Sequence, residues 1–106
     1  AMLGFIDKGL AQHVPDGVMP ILRRLYYDTA ISANPISMAA LLKLVTPANV
    51  LLGTDFPFVP EHGMQATLAG LRDVGFSDTE LRAVEGGNAA RLLDRVARDG
   101  ARTTAA

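Results

Sequence analysis

The stretch VLLGTDFPF, residues 50–58, carries most of the information about the fold. Its first three residues form a short apolar run that is typical of a buried strand, and the following glycine ends that run. Asp55 then places a carboxylate just beyond the strand, before the F-P-F sequence turns the chain away. In α/β folds with parallel strands, catalytic and ligand-binding groups gather at the carboxyl ends of the strands. Asp55 is therefore the main candidate for a functional residue.

Two interpretations of Asp55 follow from its position alone. A carboxylate at the end of a strand can bind a divalent metal, or move a proton for a metal-bound water. An aspartate there can equally cap a neighbouring turn through its own backbone. Asp28 is the next-to-last residue of an earlier strand-like segment, RLYYDT at 24–29, and we expect it to have a structural role as a loop or helix cap.

Helical patterns surround the two predicted strands, which lie at 24–29 and 49–53. Between the strands, Asn34 and Pro35 predict the start of a helix that runs to about residue 45. After the second strand, apolar spacing predicts a helix over 64–74, and the S-D-T-E capping box at 77–80 begins another. The other predicted elements are a helix over 3–13, a turn at 14–17, a helical turn at 18–24, an interruption at Gly86-Gly87 and a last helix capped by Asn88.

This order predicts an α/β fold with parallel strands joined by a right-handed crossover. Two parallel strands are too few for a complete sheet, because such sheets are normally covered on both faces and continue at both edges. We therefore interpret residues 2–99 as one segment of a larger α/β structure, with Ala1 as a tag remnant and 100–106 as a disordered tail.

Composition excludes several classes of function. The 106 residues carry a net charge of -1 without a basic block, so neither nucleic acid nor an anionic membrane is an expected partner. No apolar run approaches the roughly 20 residues that span a bilayer. The chain has no cysteine, which excludes disulfides and thiolate metal sites and favours a cytoplasmic location.

The other polar residues do not predict a site. His13 and His62 lie in polar, loop-like surroundings where we expect them to face solvent, and their spacing matches no zinc motif. The G-G-N sequence at 86–88 lacks the pattern of a phosphate-binding loop. Its predicted role is to end one helix and begin the next.

Three segments carry a resemblance to a known family: YYDTA at 26–30, NVLLGTDFPF at 49–58 and ELRAVEGGNAARLL at 80–93. Together they resemble the last quarter of amidohydrolase-related metal enzymes, in the branch similar to aminocarboxymuconate-semialdehyde decarboxylase. That resemblance implies a partial (β/α)8 TIM barrel, with the two strands as its seventh and eighth. It also implies that Asp55 is a ligand of zinc or another divalent metal and handles a proton in the reaction, and that Asn88 is a structural cap.

The resemblance leaves out most of the family's metal site. An H-x-H pair and two further histidines belong to earlier strands, and His13 and His62 do not correspond to them. Because zinc sites normally use at least three protein ligands, we expect no tight metal binding and no activity from this chain alone. The implied activity is hydrolysis or decarboxylation of a small carboxylic acid, which this chain would bind only within a completed barrel.

A second hypothesis assigns the chain to a non-enzymatic class. On this view it is an interaction module that self-associates, or a subunit that completes a barrel with another polypeptide. Both edges of a two-stranded sheet expose unpaired backbone groups, which another chain can bind. We therefore expect a homo-oligomer, most simply a two-fold dimer.

Overall fold

The structure is a computed structural model that describes residues 12–105. Its helices and strands are α1 (Met19–Leu22), β1 (Tyr27–Asp28), α2 (Pro35–Leu41), a 3₁₀ turn (Pro47–Asn49), β2 (Val50–Leu51), α3 (Glu61–Arg72), α4 (Asp78–Arg82), a π-helical turn (Ala83–Gly87) and α5 (Asn88–Ala105). The predicted helix over 3–13 lies almost entirely outside the described residues. None of the described helices is long and apolar enough to cross a membrane.

The two strands are parallel, as the sequence predicted. Tyr27 pairs with Val50 and Asp28 with Leu51, and α2 lies in the connection between the strands. Both strands are shorter than the predicted 24–29 and 49–53, because regular pairing covers two residues on each side. The Thr29 N–H extends the contact by donating to the Leu51 carbonyl at 3.0 Å. The α/β class is thus confirmed, with a sheet of two strands in the described part of the chain.

The start of α2 follows from its capping residue. The Asn34 side-chain oxygen accepts hydrogen bonds from the backbone N–H groups of Ile36 at 3.1 Å and Ser37 at 2.9 Å. Pro35 occupies the first helical position, where a missing N–H costs nothing. The helix ends at Leu41, earlier than predicted, and the chain continues through tighter turns to Val45.

The core of the described residues is small. Its buried apolar residues come from α2 and its following turn, β2, α3 and the π-turn: Met38, Val45, Val50, Leu71 and Val84. The accessible surface is 7533 Å², whereas a folded monomer of this mass exposes about 5,700 Å². The radius of gyration is 16.6 Å, against about 13 Å for a compact domain of this length. The chain therefore exposes far more surface than a self-sufficient domain.

The C-terminal region differs from the prediction in two ways. The capping box is present, since Ser77 and Glu80 exchange side-chain to backbone hydrogen bonds of 2.9 and 3.1 Å. However, the two glycines at 86–87 do not interrupt the helix: α4 passes through the π-turn directly into α5. The predicted disordered tail is instead helical as far as Ala105, because its residues include good helix formers and it follows a helix without a stop signal.

The π-turn and Asn88 together cover one edge of β2. The Leu52 N–H donates to the Val84 carbonyl at 3.0 Å. The Asn88 side-chain amide donates to the carbonyls of Pro47 at 2.7 Å and Val50 at 2.8 Å. The expectation that both sheet edges are open is therefore wrong for β2. Asn88 is structural, but it is not a helix cap, because its backbone is helical and its side chain bonds to another segment.

Candidate functional site

The candidate site lies where the two strands end side by side. Asp28 closes β1, and the segment Gly53–Asp55 follows β2. Because the strands are parallel and in register, their carboxyl ends open on the same side of the sheet. The structure thus places both candidate carboxylates at one end of the sheet, Asp28 in the last position of β1 and Asp55 in the loop after β2.

Thr29 links the carboxyl ends of the two strands through hydrogen bonds. Its hydroxyl donates to the Gly53 carbonyl at 3.1 Å and accepts from the Gly53 N–H at 3.2 Å. The residue is fully buried, so these bonds satisfy a hydroxyl that has no access to water. These bonds therefore hold Gly53, the first residue of the segment that leads to Asp55, in a defined position.

Asp28 lies against Gly53 and has the structural role predicted for it. Its carboxylate oxygen accepts from the Ala30 N–H at 2.9 Å, which stabilises the turn after β1. A Cβ at position 53 would lie 2.8 Å from the Asp28 carboxyl carbon. The absence of a side chain on Gly53 therefore makes room for this carboxylate between the strand ends.

Asp55 is exposed in the loop that follows β2. Its backbone has φ of 60°, in the left-handed region that aspartate tolerates better than most residues. Its carbonyl accepts from the Val59 N–H at 2.9 Å, closing a turn over residues 55–59. No hydrogen bond or ion pair within the described part of the chain engages its carboxylate. The backbone is thus defined while the carboxylate stays available to a ligand.

The two phenylalanines beside Asp55 lie at the surface of the described structure. Phe56 is 61% exposed and Phe58 is 88% exposed. Both belong to the turn that follows Asp55. This end of the sheet consequently combines exposed apolar side chains with exposed carboxylates.

The histidines lie away from any metal-binding cluster. His13 is exposed in a turn, as predicted, and His62 is exposed in the first turn of α3 and not in a loop. Over residues 12–105 no three His, Cys, Asp or Glu side chains come together as a metal-binding group. The described residues therefore do not fit a complete metal centre, and Asp55 could supply only part of one.

Sequence reasoning missed Thr29 and Gly53 as parts of this site. Thr29 could have been found, because a hydroxyl directly after a buried strand often bonds to the backbone of its neighbour. Gly53 appeared only as a residue that ends a strand. Its close approach to Asp28 depends on the register of the two strands, which the sequence does not specify.

A comparison with protein families matches the Amidohydrolase family model over residues 9–95. The chain belongs to the amidohydrolase family. This confirms the resemblance carried by the segments at 26–30, 49–58 and 80–93. Amidohydrolases are generally metal-dependent.

Two curated relatives of this amidohydrolase chain are fungal decarboxylases. The 6-methylsalicylic acid decarboxylase of Penicillium expansum is 35% identical over 74 residues, which cover 70% of this chain and 23% of the relative. A 6-methylsalicylic acid decarboxylase of Aspergillus aculeatus is 32% identical over 92 residues, covering 78% of this chain and 26% of the relative. The chain thus spans about a quarter of the length of these relatives. No solved structure gives a significant match.

Proposed function

We propose that this chain is the C-terminal quarter of a metal-dependent decarboxylase with a (β/α)8 barrel, in which β1 and β2 are the last two strands. The proposal is supported by the family match, by the two decarboxylase relatives and by the parallel pairing of β1 with β2. Its substrate is a small aromatic carboxylic acid, and the cytoplasm is its location. Hydrolysis of a related acid is the alternative reaction within the same family.

The observation that carries the proposal is the position of Asp55. It follows the second parallel strand, its carboxylate is exposed, and a hydrogen bond from Val59 to its carbonyl fixes the backbone around it. In a completed barrel, Asp55 would offer a carboxylate oxygen to zinc or another divalent metal and exchange a proton with the reacting carbon. The remaining ligands would come from outside the described residues.

The chain alone is proposed to be inactive. A single carboxylate makes a weak metal site, because catalytic zinc normally has three protein ligands. Adding zinc to the isolated chain should therefore give neither stoichiometric tight binding in calorimetry nor release of CO₂ from an aromatic acid.

A chimeric enzyme tests the proposal directly. This chain replaces the homologous last quarter of the Penicillium expansum decarboxylase, and CO₂ release from 6-methylsalicylic acid is measured with Asp55 and with Asp55→Asn. We expect the chimera to be active and the variant to lose at least about 100-fold in rate, since proton transfer by a positioned side chain contributes roughly that much or more.

Circular dichroism and a single thermal transition establish that both chimeras fold. A folded chimera that contains Asp55 and releases no CO₂ would overturn the decarboxylase assignment. Equal rates for that chimera and its Asp55→Asn variant would reject the role of this residue while leaving the family assignment in place.

A second candidate function, self-association, is supported by the exposed surface. The chain exposes about 1,800 Å² more than expected of a monomer of its mass, and a standard interface buries about 800 Å² on each partner. Exposed large apolar side chains lie on several elements: Leu25, Ile31, Ile36, Phe56, Phe58, Leu93 and Val96. We propose a two-fold homodimer for the isolated chain.

Light scattering over a dilution series measures this association. We expect a dimer at micromolar concentration that dissociates on dilution, because the apolar surface is buried only while the partners meet. A well-folded monomer across the whole series would refute self-association.

A further inference from the structure

A cavity of about 250 Å³ lies beside the candidate site, between the loop after β1 and the N-terminal half of α3. Most of its lining is apolar or small: Ile31, Ala33, Val59, Gly63, Ala66 and Thr67. An engineered apolar cavity of about 150 Å³ holds benzene. This cavity is therefore large enough for a substituted six-membered ring.

The polar groups of the lining are already engaged. The Thr67 hydroxyl donates to the Gly63 carbonyl at 3.0 Å. Asn34, which also borders the cavity, accepts from the first turn of α2 and donates to the Ser37 hydroxyl at 3.1 Å. No charged side chain contributes to the lining. The cavity consequently favours an apolar group over a carboxylate or a phosphate.

Two glycines of α3 hold the walls of the cavity close together. A Cβ on Gly70 would lie 1.9 Å from the Ala33 carbonyl oxygen, so only glycine lets α3 approach the β1–α2 loop this closely. A Cβ on Gly63 would lie 2.1 Å from a methyl carbon of Val59. A larger residue at either position would push apart the walls of this open cavity.

One wall of the cavity is joined to Asp55. Val59 lines the cavity, and its N–H donates to the Asp55 carbonyl. At the opposite wall, Ile31 is 75% exposed and has φ of 63°, a conformation that is unfavourable for a β-branched residue. An exposed, strained apolar side chain at the edge of a site indicates a functional position.

We propose that this cavity binds the methyl-bearing edge of a small aromatic acid whose reacting ring carbon lies toward Asp55. The inference rests on the proposed function for the identity of the acid. The apolar lining and the volume of the cavity favour an alkyl group of the acid. The hydrogen bond from Val59 to the Asp55 carbonyl joins the cavity wall to the loop that carries Asp55. The cavity therefore acts as a specificity pocket for an alkyl substituent on the ring.

The test uses the 106-residue chain without metal and a neutral probe, 3-methylphenol, with phenol as the comparison. Amide NMR spectra are recorded during titration with each probe. We expect shifts concentrated at the six lining residues named above. The methylated probe should bind about fourfold more tightly than phenol, which is the factor for burying one methyl group.

Ala66→Phe fills the cavity, and Ala69→Phe is the matched control, nearly one helical turn away on α3 and outside the lining. The first variant should raise the dissociation constant for 3-methylphenol at least tenfold, and the control should change it less than twofold. If Ala66→Phe does not fold, the smaller Ala66→Leu takes its place. Shifts scattered over other residues, no saturable binding, or equal effects of the two variants would overturn the proposal.

The outcome is independent of the chimera assay. Binding of the neutral probe requires neither metal nor a charge on Asp55. Saturable binding at the cavity together with an inactive chimera would support the apolar pocket and reject the decarboxylase assignment. An active chimera with no probe binding would support the decarboxylase assignment and reject the proposed pocket.

Discussion

The two ends of the small sheet are built differently. At the amino end, two asparagine side chains bond to the backbone: Asn88 to the carbonyls of Pro47 and Val50, and Asn49 to the Leu25 carbonyl at 2.9 Å. At the carboxyl end, the Asp55 carboxylate and the phenylalanines that follow it face solvent. Thr29 and Asp28 also make internal hydrogen bonds at the carboxyl end, but the Asp55 carboxylate there stays available.

This difference can be compared with the two ends of complete (β/α)8 barrels. In complete (β/α)8 barrels, residues at the amino ends of the strands stabilise the fold, whereas those at the carboxyl ends carry catalysis. In the described part of the chain, the sheet has two strands, with asparagine hydrogen bonds at its amino end and the exposed Asp55 carboxylate at its carboxyl end. Mutations at the two ends should therefore affect different measured quantities.

The largest effect is expected from Asn88→Ala at the amino end. Asn88 is 1% exposed, and its loss leaves the buried Val50 carbonyl and the partly buried Pro47 carbonyl without their side-chain donor. Each unsatisfied buried group costs roughly 1–3 kcal/mol. We expect the free energy of unfolding to fall by about 2–4 kcal/mol, measured by urea denaturation at fixed protein concentration.

Asn49→Ala is the control for this measurement. It also removes an asparagine that bonds to backbone carbonyls, but its side chain is only partly buried, so water can replace the lost bonds. Its cost should be about 1 kcal/mol. If Asn88→Ala cost no more than Asn49→Ala, the amino end would owe its stability to something other than the buried amide.

The smallest effect on stability is expected from Asp55→Asn at the carboxyl end. The substitution keeps the shape of the side chain and removes the charge from an exposed group that has no side-chain partner in residues 12–105. Exposed substitutions of this kind usually change the free energy of unfolding by less than about 0.5 kcal/mol. The same denaturation experiment measures it.

A fall in the free energy of unfolding of more than about 1 kcal/mol would be informative. It would mean that the Asp55 carboxylate stabilises the loop after β2, as in the alternative interpretation where this residue caps a turn. The contrast between the two ends of the sheet would then be lost.

Local signals predicted the starts of α2 and α4 correctly. The side-chain oxygen of Asn34 and the reciprocal bonds of the capping box involve residues two or three positions apart, so their chemistry is contained in a short stretch of sequence. The parallel α/β class also followed from the order of elements. The position of Asp55 after the second strand was predicted for the same reason.

Features that depend on distant contacts were not predictable. The π-turn and the inward position of Asn88 require β2 to lie beside the C-terminal helices, and Asn88 is 41 residues from Pro47, to which it bonds. Two adjacent glycines ordinarily indicate the end of a helix. Here the hydrogen bonds to β2 stabilise a continuous helix instead. The roles of Thr29 and Gly53 were missed because they join segments 24 residues apart.

The π-turn also determines the angular phase of α5. Each residue of an α-helix advances the side chains by about 100° around the axis, so one additional residue in the turn rotates everything that follows by that angle. Asn88 and Arg95 are seven residues apart, close to two full turns, and so point to nearly the same side. Arg95 lies over the Tyr26 ring at 5.8 Å, while Asn88 bonds near β2. The additional residue of the π-turn therefore determines which side of α5 faces the sheet.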